Sequence, residues 1–262
     1  MRCKRAVVVG DPLQIEPVVV LPDQLTEAIC LEFRIDETRF NAPAASAQTL
    51  ADAATPCFSS FETKTGSREV GVPLLVHRRC ADPMFSISNS IAYENLMVQA
   101  KAPKQSRVMD VLGPSTWHHI EGEGQDKWCE AEGEQVLQML FRLKRAGIEP
   151  DIYIVTPFVI VQDRLRERIR TSGILTDWVE NSNRWPSERI GTVHTVQGRE
   201  AEAVILVLGA PLTRQTGARG WAGGLPNLLN VAVSRAQEVL YVVGNRDLWK
   251  KSGVFSELSD RI

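Results

Sequence analysis

Ile190-Gly191-Thr192-Val193-His194-Thr195-Val196-Gln197-Gly198-Arg199-Glu200-Ala201-Glu202-Ala203-Val204-Ile205-Leu206-Val207-Leu208 decides the fold. It sets two apolar runs, Ile190 to Val193 and Ala203 to Leu208, around a polar link. Both runs are short, β-branched and without polar alternation, as in strands buried on both faces. Outward from them, Asp151 to Val155 and Val239 to Val243 read the same way, and Trp117 to Ile120 looks like a strand. Helical spacing lies between the strands. Glu121 to Glu134 runs from a loop into a helix whose Val136, Leu137, Leu140 and Leu143 share a face, and Lys144, Arg145 and Gly147 end it. Gln162 to Thr171 reads as a basic helix and Pro226 to Ala236 as another. Strands alternating with helices predict an α/β fold, a parallel sheet with helices on both faces. Chemistry in such a sheet is expected at the carboxyl ends of its strands.

The 262 residues carry 30 Lys and Arg against 32 Asp and Glu, a net charge of −2. That balance excludes a polybasic nucleic-acid-coating protein but leaves room for a local groove. The five cysteines are scattered with no Cys-x-x-Cys pair, which argues against a zinc or disulfide framework. No run reaches the 18 or so apolar residues of a membrane span, and the short run after Arg5 lacks a signal-peptide pattern. A cytoplasmic protein with no membrane partner is expected.

Nearer the N-terminus, Ala6 to Val9 reads as a buried strand ending at Gly10-Asp11-Pro12. Some 45 residues after Pro22 show no clear periodicity and read as a connection or insertion with one short helix. Leu74 to Val76 is a further strand candidate. Asp82-Pro83 caps a helix bearing Met84, Ile87 and Ile91. The glycine-rich stretch Ala210 to Gly224 reads as a mobile loop. Residues 1–66 and 67–262 are the expected divisions.

Four segments carry polar residues that a sheet does not require: Gly10-Asp11-Pro12-Leu13-Gln14-Ile15-Glu16-Pro17, His77-Arg78-Arg79-Cys80, Thr192 to Glu200, and Asn230-Val231-Ala232-Val233-Ser234-Arg235-Ala236. In this order they resemble motifs III, IV, V and VI of superfamily 1 helicases, especially the branch containing the nonsense-mediated-decay helicase. The resemblance implies a RecA-like domain of the P-loop NTPase superfamily over 67–262, preceded over 1–66 by the tail of a first RecA-like domain and a connection. It implies Gln14 near the γ-phosphate and attacking water, Arg79 and Arg235 reaching the γ-phosphate, and Gly198 and Glu200 at the nucleotide ribose. Thr192 and His194 fall in motif V, and Thr156-Pro157-Phe158 is similar to the family's Thr-Pro-Tyr; Thr156, Thr192 and His194 are the implied nucleic-acid contacts. Phosphoryl transfer spreads charge over equatorial oxygens, which a planar, permanently charged guanidinium is suited to stabilise.

His77 and Arg78 stand where that family has Gln and Tyr, His194 replaces an Asp, Val196 a Phe, and Gln237 a Lys. No Gly-x-x-x-x-Gly-Lys-Ser/Thr occurs, so nothing here cradles phosphates as a P-loop does. The resemblance therefore implies half of an ATPase site, sharing ATP and Mg²⁺ with a first RecA-like domain in cis or in trans, and acting on single-stranded DNA or RNA. The chain alone is expected to hydrolyse no ATP. The alternative is a catalytically inactive, stand-alone module that binds nucleic acid or a partner.

Overall fold

A computed structural model describes residues 6–11, 13–14, 19–42, 45–63, 66–102, 104–196 and 198–262. The chain forms two compact units, Met1–Leu75 and Val76–Ile262.

The first unit contains α1 (Asp23–Glu32), α2 (Glu37–Phe40), α3 (Ala47–Ala54) and an antiparallel hairpin of β1 (Ser59–Thr63) and β2 (Gly66–Val70). The aperiodic region thus holds three helices and a hairpin rather than one short helix. Local chemistry starts α3: the Ser46 hydroxyl accepts from Thr49 N–H while the Thr49 hydroxyl accepts from Ser46 N–H, so two orphan donors of the first turn are satisfied reciprocally. Ala6 to Val9 is not a strand. Its backbone is irregular and Val7 is 91% exposed. An interior parallel strand exists only through hydrogen bonds to neighbours, and no described strand pairs with this run.

The second unit runs through β3 (Val76–His77), α4 (Met84–Ala92), β4 (Val98–Gln99), α5 (Arg107–Leu112), β5 (Thr116–His119), β6 (Gly124–Gln125), β7 (Trp128–Cys129) and α6 (Glu130–Arg145). Next come β8 (Ile152–Thr156), α7 (Val159–Ser172), α8 (Trp185–Arg189), β9 (Ile190–Thr192) and β10 (Ala201–Val207). The unit closes with α9 (Thr216–Gly223), α10 (Pro226–Val233), β11 (Ala236–Gly244), α11 (Arg246–Trp249) and α12 (Phe255–Arg261). Five strands form one all-parallel sheet in the order β5-β11-β10-β8-β9. The connection through α6 runs toward β8 and that through α7 on to β9, while the connection through α10 returns from β10 to β11. Right-handed crossovers moving in opposite directions place α6 and α7 on one face and α10 on the other. The α/β expectation holds. Every residue of β8 is buried, as are Val204 to Val207 and Val239 to Val243, so both faces of the inner strands are covered.

Three other expectations shift. The strand expected over Leu74 to Val76 is the two-residue β3, paired with β4, and Leu74 is exposed. The stretch Ala210 to Gly224 is not a loop throughout, because it contains α9. That helix is tied down by the buried Arg219, which donates to the carbonyls of Ala210, Leu212 and Thr213. Helix α10 ends at Val233, leaving Ser234-Arg235 as the turn into β11. Asp82 still serves α4, accepting from Ser86 N–H and O–H, with Pro83 as the cap residue. Among the described residues no helix is long and apolar enough to cross a membrane.

Candidate functional site

Two sets of the singled-out residues lie at opposite edges of the sheet. Glu200 precedes β10 and Arg235 precedes β11, so both sit at the amino edge rather than the expected carboxyl edge. The backbones meet there: Ala201 N–H donates to Arg235 C=O. Segment 77–81 is stitched to the same edge by Ala81 N–H donating to Gln237 C=O. These two bonds bring Arg79 beside Glu200 and Arg235, residues more than a hundred positions further along the chain.

Arg79 Nε lies 2.6 Å from Glu200 Oε1, and Gln237 Nε2 donates to Glu200 Oε2 at 3.1 Å. One carboxylate is thus shared by a cation and an amide, and both the Arg79 and Glu200 side chains remain about one-third exposed. Arg235 is 1% exposed. Its Nε donates to Val231 C=O at 3.2 Å, Nη1 to Arg199 C=O at 3.1 Å and Nη2 to Ser234 Oγ at 3.3 Å. The Val231 carbonyl belongs to the last turn of α10, where a cation is favoured. Burial first, then the Arg79 guanidinium, pull Arg235 below its ordinary value, and Glu200 acts the other way. Gly198 has φ +84 with nothing within 4 Å of a would-be Cβ. Its left-handed backbone requires glycine, while the space above it is open.

His77 Nε2 accepts from Cys80 N–H at 3.1 Å and lies 2.9 Å from Cys80 Sγ. Burial, and after it the charge of Arg79, lower the His77 pKa, and burial pushes the Cys80 thiol up to about 12. Both groups are therefore neutral framing for the arginine pair. Lys101 Nζ donates to Gln237 C=O and pairs with Glu238 Oε1 at 2.5 Å. Gln237, a departure from the helicase pattern in sequence, is thus central: its side chain holds Glu200 and its carbonyl receives both Ala81 and Lys101. An amide donor gives the carboxylate a neutral hydrogen bond, whereas a lysine would compete with Arg79 for it. The arrangement fits a group with a diol near Glu200 and an anion near Arg79, as in a nucleotide. It does not fit Mg²⁺, since the guanidiniums of Arg79 and Arg235 beside Glu200 repel a divalent cation but not a neutral hydroxyl.

Thr156, Thr192 and His194 lie at the carboxyl edge, about 20 Å away by the length of β10. Thr156 is fully buried, and its hydroxyl accepts from Phe158 N–H at 3.3 Å. Thr192 N–H donates to Gln162 Oε1 at 2.9 Å. His194 is exposed in the turn that follows. Residues 193–196 leave β9 at the carboxyl edge and residues 198–200 enter β10 at the amino edge. Gln14 lies in a turn of the first unit, its N–H donating to Asp11 C=O at 3.2 Å; Pro12, Ile15, Glu16 and Pro17 of that motif fall outside the described residues. The basic helix is mostly tied to the chain. Arg164 pairs with Glu167, Arg166 donates to Ile190 C=O, and Arg168 pairs with Glu130 and Glu134.

The carboxyl edge also holds groups that the sequence did not flag. Glu132 in the first turn of α6 is fully buried; its Oε2 accepts from Gly209 N–H at 2.8 Å and its Oε1 has no hydrogen-bond partner. Burial pushes its carboxyl up to about 8. In sequence it is one acid in an acidic stretch, and only the approach of Gly209 reveals its surroundings.

The family model described as AAA domain matches residues 58–247, about three-quarters of the chain. The chain belongs to the AAA domain family. It is 27% identical over 176 residues to the Regulator of nonsense transcripts 1 homolog of Drosophila melanogaster, a match covering 66% of this chain and 14% of that relative's length. A solved structure, the C-terminal domain of a possible DNA helicase from Lactobacillus plantarum WCFS1, aligns with 17% identity and a TM-score of 0.39, covering 64% of this chain and 86% of that one. The resemblance to the C-terminal domain of superfamily 1 helicases is borne out, and the RecA-like α/β sheet of this AAA domain agrees with it.

Proposed function

We propose that this AAA domain is the second RecA-like domain of an ATP-dependent helicase or translocase, spanning 67–262, and completes an ATPase site whose P-loop belongs to a first RecA-like domain in cis or in trans. The observation that carries this reading is the convergence of Arg79, Glu200, Gln237 and Arg235, from three separate segments, on one edge of the sheet. Arg79 stabilises the charge that develops on the transferred γ-phosphoryl group, and Arg235 serves the same charge once closure of the two domains draws it from its carbonyl partners. Glu200 receives the ribose hydroxyls, with Gly198 leaving the sugar room to approach. Mg²⁺ accompanies ATP on the P-loop domain and draws no ligand from this edge. At the opposite edge, the exposed His194 meets single-stranded DNA or RNA while the buried Thr156 and Thr192 position that edge, and the link from β9 to β10 couples nucleotide to nucleic acid.

The test is steady-state ATPase of this chain joined to a P-loop RecA-like domain, with saturating single-stranded nucleic acid. Arg79→Ala is expected to cut turnover by about two or more orders of magnitude, and the chain alone to turn over no ATP. Near-unchanged turnover in Arg79→Ala refutes the assignment. A stand-alone binding module, the second reading, predicts no ATPase in any combination.

A further inference from the structure

A layered group of aromatic rings crosses the carboxyl edge. Phe255 and Trp249 meet edge-on at 4.6 Å between centroids, Trp249 lies 6.4 Å from Phe158, and Phe158 lies 6.0 Å from Trp221 at an interplanar angle of 33°. The inner three rings are buried, whereas Trp221 is 59% exposed. We propose that Trp221, backed by Phe158 and flanked by Lys127, is a stacking platform for a base of single-stranded nucleic acid; this rests on the helicase reading and adds a contact to it.

The platform is rigid. Trp221 lies on α9, which Arg219 fixes through three carbonyls. Trp249 Nε1 donates to Gly209 C=O at 2.9 Å, and Phe158 is positioned by Thr156. Room for a flat ligand lies beside the indole. Gly217 stands one turn before Trp221 on the same side of α9. Gly217 and Gly220 have nothing within 4 Å of a would-be Cβ. Each helical glycine costs about 1 kcal/mol against alanine, and no packing among the described residues requires these two. The charge suits an anionic ligand: the Lys127 ammonium sits 5.2 Å from the Phe158 centroid and makes no ion pair among the described residues, which leaves it for a phosphate. A flat ring followed by a phosphate matches a nucleotide strand better than an apolar protein face.

The test titrates the chain with a fluorescein-labelled thymidylate oligonucleotide at low salt, following anisotropy and, with unlabelled oligonucleotide, tryptophan emission. Stacking on Trp221 is expected to quench part of the emission of the six tryptophans. Trp221→Ala should abolish that quench and weaken binding by about 5- to 150-fold. Trp221→Phe, which keeps a ring, should abolish the quench and weaken binding by less than about 3-fold. Circular dichroism checks that both variants are folded. Unchanged affinity in Trp221→Ala removes the platform and leaves the helicase reading standing. A dimer that dissociates in Trp221→Ala, with oligonucleotide affinity unchanged, assigns the face to a second copy and overturns the proposal. Absence of any oligonucleotide binding overturns the proposal as well, while the ATPase test of Arg79 still decides the nucleotide site.

Discussion

Glu132→Gln should change how the stability of this domain depends on pH. The wild-type carboxyl is held at about 8 by burial, against an ordinary value of 4.5. Below pH 4.5 it is protonated in both folded and unfolded chains and contributes no pH dependence. Between 4.5 and about 8 the unfolded chain releases the proton and the folded chain keeps it, so stability falls as pH rises. Above about 8 both states are ionised and the loss is complete. The interval, at about 1.4 kcal/mol per pH unit, sets a ceiling of about 5 kcal/mol. Glutamine has nearly the same shape, can still accept from Gly209 N–H, and does not titrate. Urea unfolding of both proteins from pH 5 to pH 9 isolates the effect, because every other group cancels in the difference. The variant should gain on the wild type steadily from pH 5 to about 8, reaching several kcal/mol, and then level off. Parallel profiles would refute the argument and mean that water or structural relaxation reaches the carboxylate.

Arg235→Ala should destabilise the fold by about 2–4 kcal/mol in urea unfolding, since it removes a buried cation and leaves Val231 and Arg199 carbonyls without their donor; Arg79→Ala, at a position about one-third exposed, should cost less than about 1 kcal/mol. Arg219→Ala should release α9, seen as fast amide hydrogen exchange over 216–223, whereas retained protection there contradicts the capping role. Oligonucleotide affinity should fall steeply between low and physiological salt because each phosphate contact releases counterions; anisotropy titrations with a flat salt dependence would point to stacking alone.

The sheet could be read from the sequence because its strands are short, unbroken apolar runs. Ile152 to Val155, Val204 to Val207 and Val239 to Val243 are buried on both faces, and that burial imposes the composition. The arginines and Glu200 could be singled out because they fall within ordered motifs. Ala6 to Val9 has the same composition and no described partner strand, and composition alone cannot supply one. Helix α9 was hidden for the opposite reason. Its glycines weaken it locally, and it forms because Arg219 reaches carbonyls of the preceding turn. Which edge holds the arginines was also beyond the sequence. A residue just before one strand is, in chain order, also a residue just after the preceding element, and only the pairing of β10 with β11 resolves the ambiguity. Gln237 and Glu132 show the same limit. An amide in a strand and an acid in an acidic run acquire their character from neighbours tens to more than a hundred residues distant: Arg79 and Glu200 for one, Gly209 for the other. Local patterning determined the five strands of the parallel sheet, the helices α4, α6, α7 and α10 and the candidate charges of this protein, because burial imposes a periodicity. Tertiary structure alone decided which charges meet, which are buried and which ring faces solvent, because those depend on contacts between segments that the chain order leaves far apart.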